Sequence, residues 1–271
     1  MRAWRSVAAV AVTLLFVLPL VFMLSGSLRK PGLPPPRTVE LVPDPIVFGN
    51  YARAFELVDL GRATFNSLLV AAIAAPLSVL VAAWAGFALA RLRTRLAAVI
   101  IAASLVALMV PLTALLVPRF AIFQALGLTD TYAALVAPAL IGTSPFYVLV
   151  FYWAFRRLPS ELYDACRLEG MTPFRIWRRV AMPLVRPVTL AVGMLAFIVT
   201  WANFLDPLIY IYDADLYTLP LALKSLAQLD RTNYPLLLAG AVVATAPVIA
   251  IFLVAQRGFL HQHRGAGWLG R

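Results

Sequence analysis

The sequence contains few charged residues. Only 13% of its 271 residues are Asp, Glu, Lys or Arg, whereas 62% are hydrophobic. That is more apolar surface than a soluble domain of this size can bury in one core. The composition therefore excludes an ordinary soluble domain and predicts a protein that is solvated mainly by a lipid bilayer.

Cysteine, histidine and lysine are nearly absent, and each absence excludes a class of site. Cys166 is the single cysteine, so no internal disulfide can form, and His261 and His263 have no Cys or carboxylate beside them to complete a metal site. Neither Lys30 nor Lys224 follows the glycine of a phosphate-binding loop, and no Gly-x-Ser-x-Gly occurs. We therefore expect no metal or cofactor, and neither an enzyme nor an ATPase.

Six long stretches contain no charged residue. A helix needs roughly 20 apolar residues to cross about 30 Å of hydrocarbon, and each stretch is long enough. The first stretch has no small-x-small cleavage pattern, so we expect an uncleaved span rather than a signal peptide. In the second, small residues around Gly86 should let helices approach closely. We predict an all-α polytopic membrane protein with six transmembrane helices, at 6–28, 63–90, 96–118, 131–155, 187–205 and 232–256.

The cations are distributed unevenly along these spans. With the N-terminus inside, the cytoplasmic segments carry 15 of the 23 cations but only three acids, Glu161, Asp164 and Glu169. Short loops rich in Lys and Arg stay on the cytoplasmic side, so both termini are predicted to be cytoplasmic. The net charge of +11 therefore reflects membrane topology, and we expect no nucleic acid partner.

The spans and connectors suggest a division of the chain. Residues 1–24 form the first span, and 25–62 form an extracytoplasmic segment whose many prolines disfavour a helix. Residues 63–260 form a core of five helices with a cytoplasmic loop at 158–187, and 261–271 form a cytoplasmic tail. A protein contact and a stiff connector are equally compatible with the proline-rich segment.

The loop at 158–187 has the pattern of two short capped helices. Ser160 is expected to cap the first, and Gly170 suits the left-handed residue that ends it. Thr172 is expected to cap the second, with Pro173 at the first helical position. An element of this size cannot bury its own apolar residues. We therefore expect it to dock on a partner.

This loop resembles the EAA motif of binding-protein-dependent importer permeases. In that motif Glu-Ala-Ala precedes a Gly, an apolar residue and a Pro. Asp replaces the Glu here, Cys replaces the second Ala, and Glu precedes the Gly in place of the usual Asp. The corresponding residues are Asp164, Ala165, Cys166, Glu169, Gly170, Ile176 and Pro183.

Further motifs in spans two to six resemble the second permease of the maltose-type (MalG-like) carbohydrate uptake systems. They occur in the family's order across some 200 residues. They are Phe65-Asn66-Ser67-Leu68, Leu126-Gly127-Leu128, Trp201-Ala202-Asn203-Phe204-Leu205-Asp206-Pro207-Leu208, Thr218-Leu219-Pro220, Gln256-Arg257 and Gly265-Ala266-Gly267.

The resemblance implies a type I ABC importer (MetI-like) permease fold in the inner membrane of a bacterium or archaeon. It implies three partners: a second, MalF-like permease subunit, an ATP-binding-cassette ATPase dimer and an extracytoplasmic solute-binding protein. The implied substrate is a sugar, oligosaccharide or polyol. The loop would then couple ATPase closure to opening of the pathway, with Gly170 as its hinge and Cys166 at the ATPase interface. Anchoring of the loop to lipid headgroups through its arginines is the simpler alternative.

Two other functions remain open from the sequence. An ion-coupled secondary carrier usually places charged residues within the membrane, and the six stretches have none, although sodium carriers can use carbonyl groups. An importer of a non-sugar solute such as glycerol-3-phosphate would share the motifs. Candidate substrate contacts in spans four and five are Tyr147, Tyr152, Trp201 and Asn203, for each of which helix packing is the commoner role.

Overall fold

The computed structural model describes residues 2–36, 40–140 and 144–262, and the regular elements among these are all helical. The predicted tail beyond residue 262, with His263 and the Gly265-Ala266-Gly267 match, lies outside the described residues. The helices are α1 (Arg2–Ser27), α2 (Gly49–Val58), α3 (Leu60–Arg91), α4 (Thr94–Leu108), α5 (Leu116–Ala125), α6 (Tyr132–Leu140), α7 (Pro145–Arg156), α8 (Ser160–Leu168), α9 (Pro173–Ile176), α10 (Met182–Leu184), α11 (Arg186–Trp201), α12 (Leu205–Tyr210), α13 (Leu219–Leu229) and α14 (Tyr234–Gln262).

Four segments are long and apolar enough to cross a membrane. They are Ser6–Ser27, Leu60–Arg91, Tyr132–Arg156 and Tyr234–Val254. They confirm the first, second, fourth and sixth predicted spans. Pro19, Pro76 and Pro247 lie inside these helices without ending them.

The third predicted span is not a straight helix, and the fifth is shorter than predicted because α11 ends at Trp201. In the third, α4 ends at Leu108, and the helical segment after Pro111 runs at 86° to it. Pro111 has no N–H to continue α4, whereas Pro118 lies near the start of α5, where N–H groups lack helical acceptors anyway. In the fifth, α11 has 16 residues and follows an 85° bend. The structure has up to six spans if each bent pair counts as one.

The chain folds into two compact units. The first comprises Met1–Asn66 and Tyr217–Ala250, and the second comprises Ser67–Leu216 and Ile251–Arg271. In the first unit the structure differs from the predicted connector at 25–62, because α2 occupies its second half and packs against α13. Asn50 at the start of α2 donates hydrogen bonds to the carbonyls of Ser27 and Arg29, both at 2.8 Å.

The core of the second unit is built on small residues of α3. A Cβ placed on Gly86 would lie 2.7 Å from Phe151 Cβ and 2.9 Å from both Tyr152 N and Val148 O, all on α7. Real Cβ atoms do not approach so closely, so glycine is required where these two helices meet. The predicted close approach at the small residues of α3 is confirmed.

Candidate functional site

The first helix of the 158–187 loop, α8, ends in a Schellman motif. Gly170 has a φ of +70°, its N–H donates to the Arg167 carbonyl at 2.9 Å, and the Met171 N–H donates to the Cys166 carbonyl at 3.0 Å. Gly170 therefore adopts the left-handed conformation that was predicted. A side chain there would meet no atom within 4 Å, so the demand for glycine comes from the backbone.

The second half of the loop begins at Thr172 and changes from an α-helix to a wider π turn before Pro183. The Thr172 hydroxyl accepts a hydrogen bond from the Arg175 N–H at 3.4 Å, and Pro173 is the first helical residue, as predicted. Residues Trp177–Ala181 form a π turn before Pro183, which has no N–H to offer the preceding turn.

The predicted cap of α8 is wrong by one residue. The helix already includes Ser160, and Pro159 occupies the cap position without a side-chain hydrogen bond. Pro159 has an extended backbone (ψ 139°) and a φ fixed by its ring, which suits the residue that precedes a first turn.

One face of the loop is buried against the second unit. Tyr163, Cys166 and Ile176 are at most 9% exposed and belong to one core cluster with Phe87 and Phe155. Cys166 lies one turn after Tyr163 and shares its inward direction. The expectation that the Cys166 thiol lies at a partner's interface is therefore wrong, because the chain's own residues cover it.

Aromatic rings hold this face to the C-terminal end of α3. Trp84 and Trp177 pack edge to face with centroids 5.0 Å apart, and the centroid of the Phe87 ring lies 6.1 Å from that of Tyr163. The Arg91 guanidinium lies 3.8 Å from the centre of the Tyr163 ring. Such pairs each contribute on the order of 0.5–1.5 kcal/mol beyond area burial, so the loop is fixed to its supporting helices.

The opposite face of the loop is exposed and partly apolar. Leu168 is 90% exposed beside the acidic Glu169, whereas Phe174, 52% exposed, also packs on Trp84 and Trp177 with ring centroids 5.7 Å apart. Neither residue belongs to the predicted coupling set, although both were visible as apolar members of the two short helices. Of that set, Asp164, Ala165, Glu169, Gly170 and Pro183 are exposed, whereas Cys166 and Ile176 are buried.

The structure does not gather the four candidate substrate residues into one place. Tyr147 and Tyr152 on α7 are 7% and 8% exposed within the core cluster. Trp201 stacks on Phe197 at 5.8 Å. The Asn203 side chain donates to Asp206 Oδ2 at 2.9 Å and accepts from the Asp206 N–H at 3.2 Å. All four have partners within the chain, and their role in a substrate pathway stays a prediction.

A polar cluster that the sequence analysis missed joins α5 to α12. Arg119 Nη2 lies 2.9 Å from Asp206 Oδ1, as an ion pair without the alignment of a hydrogen bond. The guanidinium also lies 5.4 Å from the centre of the Tyr210 ring, which is fully buried. The signal was present, because Arg119 and Asp206 each directly follow a charge-free stretch and carry opposite charges.

Asp130 ties the turn between α5 and α6 to the segment after α12. Its Oδ1 accepts hydrogen bonds from the N–H groups of Tyr212 and Asp213, both at 2.9 Å, and its own N–H donates to the Tyr210 carbonyl at 2.7 Å. The two accepted bonds lower the pKa of Asp130 below its ordinary value. Gly127, three residues earlier, is left-handed (φ +65°) and follows the end of α5.

Three sugar-transport permeases are similar to this chain over nearly the whole length of both proteins. The lactose transport system permease protein LacG of Rhizobium radiobacter is 29% identical over 257 residues, covering 93% of this chain and 91% of LacG. The arabinooligosaccharides transport system permease protein AraQ of Bacillus subtilis is 32% identical over 255 residues, covering 92% and 89%. The trehalose transport system permease protein SugB of Mycobacterium tuberculosis is 30% identical over 246 residues, covering 89% and 88%.

Solved importer structures share the fold. A chain of the bacterial ABC transporter for the acidic polysaccharide alginate aligns with a TM-score of 0.74 at 22% identity, covering 94% of this chain and 96% of the other. A chain of the inward-facing methionine transporter MetNI aligns with a TM-score of 0.57 at 18% identity, covering 76% and 95%. The family model described as binding-protein-dependent transport system inner membrane component matches residues 50–264, and the chain therefore belongs to this family.

Proposed function

We propose that this protein is one of two permease subunits that form the pathway of an ATP-driven carbohydrate importer. An extracytoplasmic binding protein delivers the solute, and a separate ATPase dimer supplies the energy. Membership of the family supports this role, and the names of the relatives that transport lactose, arabinooligosaccharides and trehalose support the substrate class. The ion-coupled carrier is not favoured, because this family is defined by dependence on a binding protein.

The coupling proposal rests on the exposed face of the 158–187 loop. Leu168 is 90% exposed on an element whose other face is firmly packed. Burying a leucine side chain contributes about 1.5–3 kcal/mol, so a partner's cleft would bind this face readily. The exposed acids Asp164 and Glu169 would complement cations on that partner, and Leu168 would serve as the apolar contact.

Crosslinking tests this assignment. In a Cys166→Ala background we would introduce Leu168→Cys, and as a control Thr94→Cys, an exposed position at the start of α4. The tagged complex would be purified in mild detergent with its associated ATPase. Leu168→Cys should crosslink to the ATPase and respond to nucleotide, whereas Thr94→Cys should not. Equal reaction at both positions, or reaction of Leu168→Cys only with lipid, would contradict the docking proposal.

Cysteine labelling in the same Cys166→Ala background tests the proposed orientation. A membrane-impermeant maleimide should label Thr94→Cys only after the membrane is opened. Leu126→Cys, 65% exposed after α5, should be labelled in intact spheroplasts. The reverse pattern would overturn the cytoplasmic placement of both termini.

Uptake measurements test the substrate class. A deletion strain and its complemented parent would be supplied with labelled lactose, trehalose, arabinooligosaccharides or glycerol-3-phosphate. We expect uptake of at least one carbohydrate to depend on the gene. Loss of glycerol-3-phosphate uptake alone would favour the non-sugar alternative.

A further inference from the structure

A groove of about 380 Å³ opens beside the contact between the C-terminal end of α3 and the 158–187 loop, and residues of both line it. Aromatic side chains, among them Trp84, Phe87 and Tyr163, form much of its wall. Arg91 at the end of α3 and Arg167 on α8 provide its charges, and none of the described residues that line it is acidic. The groove therefore combines two cations with apolar walls.

The two arginines are poorly neutralised by the protein. Arg91 and Arg167 line the same groove, where like charges repel each other, and the exposed carboxylate of Asp164 offsets part of that repulsion. Arg167 Nη1 lies 3.5 Å from Asp164 Oδ1, but both side chains are more than 60% exposed, and such surface pairs contribute little. Among the described residues Arg91 has a ring contact with Tyr163 and no carboxylate at ion-pair distance. An anion between the two guanidinium groups would relieve the repulsion.

The groove lies where a membrane surface supplies such an anion. The span Leu60–Arg91 ends at Arg91, and Trp84, two turns earlier, is 43% exposed. Tryptophan is enriched at the level of lipid headgroups, and basic pockets between transmembrane helices on the cytoplasmic side bind anionic headgroups. The ATPase-facing residue Leu168 is directed away from this packed face.

We propose that the groove binds the phosphate headgroup of an anionic phospholipid from the cytoplasmic leaflet. Arg91 and Arg167 donate hydrogen bonds to the phosphate oxygens, and Trp84 contacts the glycerol and upper acyl region. This site is separate from the proposed pathway and depends on the cytoplasmic placement of the loop. A bound lipid would link α3 to α8 from the membrane side.

Lipid retention by the purified complex tests the proposal. Native mass spectrometry would compare binding of phosphatidylglycerol and phosphatidylcholine to the wild type and to Arg91→Gln, Arg167→Gln and Arg93→Gln. Arg93 is an exposed arginine in the same basic turn, but it does not line the groove. We expect each groove variant to lose about fivefold of the preference for phosphatidylglycerol, and Arg93→Gln to keep it.

Other outcomes would overturn the proposal. An unchanged preference in both groove variants, or an equal loss in Arg93→Gln, would exclude a specific site. Displacement of phosphatidylglycerol by millimolar inorganic phosphate would indicate a site for free phosphate. Release of the ATPase from Arg91→Gln without a change in lipid retention would assign the groove to an acidic side chain of that partner. Arg167 is exposed, so its variant should fold even if Arg91→Gln does not, and Arg91→Lys should retain the lipid.

Discussion

Gly86 sets the distance between α3 and α7, and alanine should not be tolerated there. The new Cβ would collide with backbone atoms of α7 at 2.9 Å, so we expect Gly86→Ala to destabilise the protein by about 1–3 kcal/mol. Gly193→Ala is the matched control, because its Cβ would meet only Val79 Cγ2 at 3.8 Å and alanine favours a helix interior. Thermal unfolding in detergent should show a loss for the first variant only. Equal melting temperatures would contradict the close contact.

The ion pair between Arg119 and Asp206 should couple the two residues energetically. Their side chains are 20% and 15% exposed, so removing one partner leaves the other charge largely desolvated. We expect Arg119→Met or Asp206→Leu alone to cost about 1–3 kcal/mol and the double variant to cost less than their sum. A double-mutant cycle of thermal unfolding measures this, and strict additivity would show that the pair contributes nothing.

The hydrogen bonds to Asp130 make the segment at 212–213 sensitive to acid. The folded-state pKa of Asp130 is lowered, so its stabilising contribution is present above the unfolded pKa of about 4 and is lost as pH falls through the folded value. The amides of Tyr212 and Asp213 should therefore exchange faster below about pH 4, after correction for intrinsic rates, and be unaffected between pH 5 and 8. Asp130→Asn, which keeps one acceptor oxygen, should abolish this pH dependence. Hydrogen-exchange mass spectrometry measures these rates. Exchange at Tyr212 and Asp213 that does not change with pH in the wild type would contradict the prediction.

At the scale of the element, the same substitution at Gly170 and at Gly127 distinguishes the cost of backbone strain from a loss of coupling to the ATPase. Both end a helix in a left-handed conformation, and a side chain would meet no atom within 4 Å at either position. Valine at either site should therefore cost a similar amount, on the order of 1–2 kcal/mol. If Gly170 is the hinge of the coupling loop, Gly170→Val should abolish uptake and Gly127→Val should not. Equal uptake losses in the two variants would reduce the role of Gly170 to stability.

The sequence predicts helices better than it predicts their direction. The charge-free stretches locate the apolar helices, since membrane crossing depends on length and hydropathy. They do not reveal the bend near Pro111, because Pro19, Pro76 and Pro247 have the same covalent chemistry and lie inside continuous helices. The outcome depends on which neighbouring groups satisfy the freed carbonyls, and these belong to other helices. Similarly, α2 begins after the last proline of the segment at 25–62. The prolines disfavour a helix only in the part of the segment that contains them, whereas the prediction treated the segment as one connector.

At the scale of the whole molecule, local features of the site were predictable and directional ones were not. The left-handed Gly170 and the Thr172 cap depend on a few adjacent residues, and both follow from the sequence. The burial of Cys166 depends on which side of α8 meets α3, and the pairing of Arg119 with Asp206 joins distant segments. Such contacts exist only in the folded chain.

At Gly86 the backbones of α3 and α7 approach closely, so the two helices should move together. Side chains normally separate two packed helices and let them slide by small rotamer changes, but at Gly86 backbone meets backbone. The loop is fixed to α3 through Trp84 and Trp177 close to this point. If a partner ATPase docks on Leu168 as proposed, its movement should displace α3 and α7 together, because no flexible side chain separates these helices at Gly86.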